Sequence, residues 1–301
     1  MRWAVLVFLG ACSYGVLSTF VKLAYHAGFT VQEVVGSQAF FGILLLWPMS
    51  WFFPRNKLTR KELISIMLVG STIGLTAIIY YGSLQYLPAS VSVVLLFQFT
   101  WIGVLIESLI DRQKPDRAKI LSLILLFAGT ILAAGLLEAD TAHWTGIGIL
   151  LGLLSALSYA LFVIFSGRTA NHVHPVVRSS IMAFSSLILV FIVFPPFFLW
   201  NGSLYAGLAL WGFLLALFGI VIPTLFLTLG VPHTGGSLAS ILGAAELPTA
   251  VLMSSMVLGE SVSSLQWLGV FVILSGIALP ELSGMRREPE NKRNRHATTK
   301  K

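Results

Sequence analysis

Formal charge is scarce in this chain. Only 10% of its 301 residues are Asp, Glu, Lys or Arg, whereas 56% are hydrophobic; soluble proteins average about a quarter charged. The deficit runs along the whole length, which excludes a soluble globular protein with a single anchor. Cysteine is as rare. Cys12 stands alone, so a disulfide framework and a multi-cysteine metal site are excluded. There is no Gly-x-x-x-x-Gly-Lys-Ser/Thr loop for ATP, no His-Glu-x-x-His zinc signature and no Gly-x-Ser-Gly for an intramembrane serine protease. No cluster of ionisable residues falls at one depth in the apolar runs, so neither an enzyme nor a bound cofactor or metal is expected.

What remains is apolar sequence, long enough for many membrane crossings. A span needs roughly 20 apolar residues, and such stretches fall at 3–25, 34–53, 63–83, 90–110, 120–137, 144–166, 176–200, 204–229, 237–259 and 265–282. From Leu63 to Ile106 no formal charge appears, twice the length of one helix. The break there belongs at Gln85-Tyr86-Leu87-Pro88, with Pro in the first turn of the next helix. From Ser179 to Ala245 charge is again absent, and three spans divide at Asn201-Gly202-Ser203 and at Pro232-His233-Thr234-Gly235-Gly236. The expected fold is an all-α polytopic membrane protein with ten transmembrane helices.

The net charge of +7 would suggest nucleic acid in a soluble chain; here it reads as the positive-inside bias. With the N-terminus inside, Arg2, the loops around Arg60 and Arg117, the pair Arg168 and Arg178, and the basic tail all fall on the cytoplasmic face. Of the 19 Lys and Arg, only Lys22 lies elsewhere. Both termini are therefore placed in the cytoplasm of a cell carrying the chain in its cytoplasmic membrane. The apolar run after Arg2 continues past Cys12 to Tyr25, so it reads as a span rather than a cleaved signal. Residues 285–301 form a basic cytoplasmic tail expected to be disordered.

The chain also repeats. At an offset near 145, Ala11-Cys12-Ser13-Tyr14 meets Ala156-Leu157-Ser158-Tyr159. At 147, Ser90-Val91-Ser92-Val93-Val94-Leu95 meets Ser237-Leu238-Ala239-Ser240-Ile241-Leu242, and the segment from Phe127 to Ala133 meets the segment from Leu274 to Pro280. Five helices per half mean that the second half enters from the opposite side. The expectation is two inverted five-helix repeats, residues 1–138 and 143–284, a plan that recurs in transporters with the substrate site near midplane.

At 237–260 the sequence resembles the EamA-type members of the drug/metabolite transporter superfamily. The small-residue run Ser237-Leu238-Ala239-Ser240-Ile241-Leu242, then Glu246, then Leu258-Gly259-Glu260, is similar to that family's signature, and Tyr86-Leu87-Pro88-Ala89-Ser90 to its first-half counterpart. Family members usually carry Pro directly after the first Glu, whereas Leu247 intervenes here. The resemblance implies transport of small metabolites, commonly export of amino acids or related compounds. It also implies a cavity formed by helices one, three, four, six, eight and nine, with the fifth and tenth peripheral.

Charges in hydrocarbon are costly and usually functional. Glu246 lies nine residues past Ser237, about 14 Å into a core of about 30 Å. With no Lys or Arg expected at that depth, its carboxylate could carry a proton or bind an ammonium group. Pro248 removes a backbone hydrogen bond just beyond it and marks a helix break. Gln98 reaches similar depth from the other half and could bind a zwitterion or bond a neighbouring helix. Tyr14 and Tyr159, equivalent under the repeat, could line the same cavity or pack plainly. Tyr80 and Tyr81 fit an interfacial belt. Lys22 and Glu33 bracket the first outer turn, as an ion pair or as an outer vestibule. Glu107 and Asp111 read as solvated residues beside Arg112. Gly129 and Gly276 permit close packing or a dimer contact.

The expectation is a secondary transporter that exports small amphipathic metabolites by alternating access through a midplane cavity. Its candidate lining is Glu246, Gln98, Tyr14 and Tyr159. The partners expected are a small-molecule substrate, membrane lipid and a proton as coupling ion, without nucleic acid, in a monomer or homodimer. The alternatives are an uncoupled facilitator and, from another class, a lipid translocator or assembly factor.

Overall fold

The computed structural model describes residues 2–54, 58–83, 86–87, 89–135, 145–259 and 262–280, without the side chains of Ala89 and Ser90. The tail 285–301, Pro88 and Glu260 lie outside the described residues. Among those described, regular structure is entirely helical, as lipid demands of a chain that must satisfy its own backbone. In chain order the helices are α1 (Arg2–His26), α2 (Val31–Ser50), α3 (Arg60–Ser83), α4 (Ala89–Leu96), α5 (Phe99–Asp111) and α6 (Arg117–Ala133). There follow α7 (Gly146–Ser166), α8 (Pro175–Val193), α9 (Ala209–Ala216), α10 (Ile222–Thr234), α11 (Gly236–Gly243) and α12 (Glu246–Val257), and then α13 (Ser264–Pro280). A π-helical turn at Leu204–Leu208 leads into α9, and another at Leu217–Val221 joins α9 to α10.

Among the described residues, eight helical stretches are long and apolar enough to cross a membrane, including the composite stretches Val91–Asp111, Leu204–Thr234 and Gly236–Val257. The shorter α6 and α13 stand beside these eight.

Local sequence sets where the helices begin. Thr30 and Glu33 form a reciprocal capping box at α2, and Thr59 with Glu62 repeats it at α3, where the Glu62 carboxylate accepts the Thr59 backbone N–H at 2.9 Å. Asp116 caps α6 and Thr145 caps α7. Pro175 opens α8 behind His174, whose ring nitrogen accepts the Val176 N–H. Each device satisfies backbone donors that a helix start leaves free.

Two spans are interrupted near their centres. α4 gives way to α5 across Phe97 and Gln98, and α11 to α12 across Ala244 and Ala245. The starts of α11 and α12 repeat those of α4 and α5 at a shift of 147 residues. The repeat therefore extends from residue type to backbone geometry, and Phe99 occupies in the first half the position that Glu246 occupies in the second.

Small residues set the close helix contacts. A Cβ on Gly70 would collide with the backbone of Met182, and one on Gly74 would lie 2.9 Å from the Ser186 carbonyl, so α3 lies against α8. α6 and α13 interlock likewise. A Cβ on Gly129 would fall 2.9 Å from the Ile273 nitrogen, and the Ser122 hydroxyl donates to the Gly276 carbonyl at 2.5 Å. Gly129 and Gly276 are thus occupied by packing within the chain. Without a hydrophobic drive between helices in lipid, such close approach is the principal source of association.

Candidate functional site

A cavity of about 550 Å³ opens between α1, α3, α7 and α12, with Glu246 in its wall. The break after Gly243 makes Glu246 the first residue of α12. Gly15 allows α1 to approach this point. A Cβ there would lie 2.5 Å from the Glu246 carbonyl oxygen and from the Thr249 Cβ. The half-buried Glu246 side chain faces the cavity, and among the described residues its carboxylate has no hydrogen-bond or ion-pair partner.

Aromatic rings share the cavity wall with that carboxylate. The Tyr14 and Tyr159 rings stand 5.9 Å apart at 84°, and Phe99 meets Tyr159 at 4.6 Å and 76°. Tyr14, Tyr80 and Tyr159 are near enough to Glu246 to feel its charge. Farther along, Tyr25, Tyr81 and Lys22 carry the wall toward one end, with Val262 and Gln266 opposite. The Tyr25 hydroxyl is buried and has no hydrogen-bond partner among the described residues. Polar groups are few: Gln38, Ser18 and Thr76 line the wall, and Thr76 donates to the Ser158 hydroxyl at 2.9 Å.

The other end is sealed. Beyond Glu246, Phe99 and Ile241 are fully buried. Below them the Glu107 carboxylate of α5 accepts the backbone N–H groups of Gly236 and Ser237, both at 2.5 Å. It thereby caps the first turn of α11, where carboxylates are stabilised by both the free donors and the helix dipole. Arg168 approaches Glu107 at 3.6 Å and grips Asp111 with two parallel bonds of 2.9 and 2.8 Å. Nearby, Arg178 is 1% exposed. Its guanidinium donates to the Asn171 side chain at 2.5 Å and to the carbonyls of Ser166 and Thr228 at 2.7 and 3.0 Å, which ties α7, α8 and α10 at this end.

The residues singled out by sequence divide accordingly. Tyr14, Tyr159, Glu246 and Lys22 share the cavity wall. Gln98 sits in the α4–α5 break, where its amide donates to the Val94 carbonyl at 2.8 Å and its oxygen accepts the Trp101 indole N–H at 2.8 Å. The chain is interrupted at Ala244–Ala245, and Pro248 lies in the first turn of α12 beyond it, buried. A proline there lacks only a donor that a helix start leaves free. Glu33 is held by Thr30, by Asn201 at 3.1 Å and by the Ser203 hydroxyl, not by Lys22.

Three expectations change. Tyr80 and Tyr81 line the cavity instead of an interfacial belt, because α3 turns that face toward α1 and α7. Glu107 is 9% exposed rather than solvated, whereas Asp111 is exposed as expected and pairs with Arg168. Arg178 is buried, not a loop cation. Only the apolar company of Arg178 within its span hinted at this; nothing local marks Glu107.

The comparisons agree with this architecture. Residues 1–135 and again 146–280 match the EamA-like transporter family. Uncharacterized transporter sll1319 of Synechocystis sp. is 24% identical over 229 residues, which are 75% of this chain and 68% of that protein. Uncharacterized inner membrane transporter YicL of Salmonella typhimurium is 27% identical over 234 residues, 76% of each. A solved crystal structure of a protein, 14% identical, superposes with a TM-score of 0.77 over 93% of this chain and 98% of that one; it is similar in fold. The relatives are transporters, not enzymes.

Proposed function

The chain belongs to the EamA-like transporter family, and from that premise we propose that it is a secondary transporter of small amphipathic metabolites that carry an amino group. It works by alternating access through the Glu246 cavity. The observation that carries this reading is a carboxylate that has no partner among the described residues, on the wall of a cavity large enough for a metabolite. Cavities of about 300–1,000 Å³ suit small molecules, and a charge in a membrane span that no neighbour satisfies marks a substrate or proton path.

Alternating access needs one end closed while the other admits solute. The Glu107 cap on α11 and the Arg168–Asp111 grip serve as the closure, joining α5 and α7 to α11. With the basic residues facing the cytoplasm, that closed end is cytoplasmic and the Lys22 end faces outward. The name of the Salmonella relative agrees with a cytoplasmic membrane. We infer that α6 and α13 cross beside the eight longer stretches, giving ten helices in two inverted halves with both termini inside. The repeated helix break and the paired family matches support that count. Net transport is outward, with a proton exchanging at Glu246.

Counterflow in proteoliposomes against a labelled panel of amines and amino acids tests the reading. The wild-type protein exchanges a substrate and Glu246→Gln does not. Equal exchange by both would make Glu246 structural.

A further inference from the structure

The cavity pairs one carboxylate with perpendicular aromatic rings, and that combination selects charge. Tyr14, Tyr80 and Tyr159 share the cavity wall with Glu246, and the nearly right-angled Tyr14–Tyr159 contact forms a corner of a cage. Aromatic faces carry negative potential and attract cations, most strongly where water is excluded. The carboxylate at the same point adds a full negative charge in a setting of low dielectric. Both features repel an anion.

A zwitterion fits this corner poorly. The cationic side chain on the cavity wall is Lys22, eight residues beyond Tyr14 on α1 and so about 12 Å farther along the axis. In an α-amino acid the nitrogen and the carboxyl carbon are only about 2.5 Å apart. An ammonium seated on Glu246 would therefore hold its own carboxylate among the same rings and beside the same negative charge. A compound whose only charge is a terminal ammonium, followed by an apolar body, meets no such conflict. The remaining wall, with Val93, Leu96, Phe97 and Phe162, suits that body.

Resting on the transport reading above, we infer that the Glu246 cavity is a site for organic cations: primary or quaternary amines with an apolar body, or amino compounds whose carboxylate is masked or distant. Phenethylamine, phenylalanine and 3-phenylpropionate share one ring and present a cation, a zwitterion and an anion at neutral pH. Binding of the three to the purified full-length protein, followed by calorimetry, reads the preference directly. Exchange of the same three in proteoliposomes reads transport separately.

The expected result is that phenethylamine binds at least about tenfold tighter than phenylalanine and that phenylpropionate does not compete. Glu246→Gln weakens amine binding tenfold or more, whereas Glu246→Asp retains most of it. The series on the unaltered protein stands even where a variant fails to fold. Phenylalanine or phenylpropionate binding as tightly as the amine overturns the cation site, as does amine binding indifferent to Glu246→Gln, or no binding of any probe at millimolar concentration. Exchange of the zwitterion without amine preference keeps the transporter and removes the cation site. Amine binding without exchange does the reverse.

Discussion

Two carboxylates on the two interrupted spans meet opposite fates. Glu107, on α5, accepts two backbone N–H groups at 2.5 Å and has Arg168 at 3.6 Å. Glu246, at the start of α12, faces a cavity and has no partner among the described residues. Burying a charge is costly unless hydrogen bonds and opposite charge offset it. At Glu107 the protein supplies both, so the residue holds structure. At Glu246 it supplies aromatic walls and space, so the compensation is left to a ligand or a proton. The same side chain is a fastener in one place and, in the function proposed above, a binding group in the other.

Substitutions can break that contrast, and on stability the largest effect belongs to Glu107→Ala. It leaves Gly236 and Ser237 without their acceptor and Arg168 without one of its two carboxylates, a loss of about 3–5 kcal/mol by the cost of opening a buried charged contact. Thermal unfolding in detergent should show a midpoint many degrees lower. A cysteine placed at position 237 should also react faster with a thiol reagent in this background. An unchanged midpoint would mean that the contact fastens nothing.

Next comes Gly70→Ala. Its methyl group meets the Met182 backbone and must push α3 from α8, at about 1–3 kcal/mol for overpacking. A smaller shift than Glu107→Ala is expected in the same melt, with Ile66→Val as a mild control on the same helix.

Glu246→Gln should change stability by less than about 0.5 kcal/mol, since no partner among the described residues is lost, while exchange disappears. A large destabilisation would show that Glu246 is a fastener too, and the comparison would collapse. Gln98→Leu should do least to exchange. Its bonds run to Val94 and Trp101 on its own span, so exchange stays within about twofold and stability within about 1 kcal/mol.

Much of the fold could be read along the chain. Lipid forces apolar segments into helices, and local caps such as Thr30 with Glu33 fix their starts. Glu246 was legible because a charge in a long apolar run has few innocent explanations. Tyr14 and Tyr159 were legible as a pair through the repeat. Glu107 was not, because its acceptor role depends on Gly236 and Ser237, which are 129 and 130 residues away. One turn from Asp111 near a helix end, it has the composition of an interfacial residue. Tyr80 and Tyr81 misled for a related reason: position along a helix is set by sequence, whereas rotation about its axis is set by neighbours. Gln98 had the right depth, but the interrupted backbone beside it drew its amide into local bonds.

The sequence by itself determined the all-helical, apolar character of the chain, its family and the position of Glu246 within a long apolar run, because solvation by lipid acts on each segment independently. Only the tertiary structure decided which face of each helix meets the cavity, which end is closed and which carboxylate is already satisfied. Those depend on close approach at glycines such as Gly15 and Gly70, and on bonds between residues far apart in the chain.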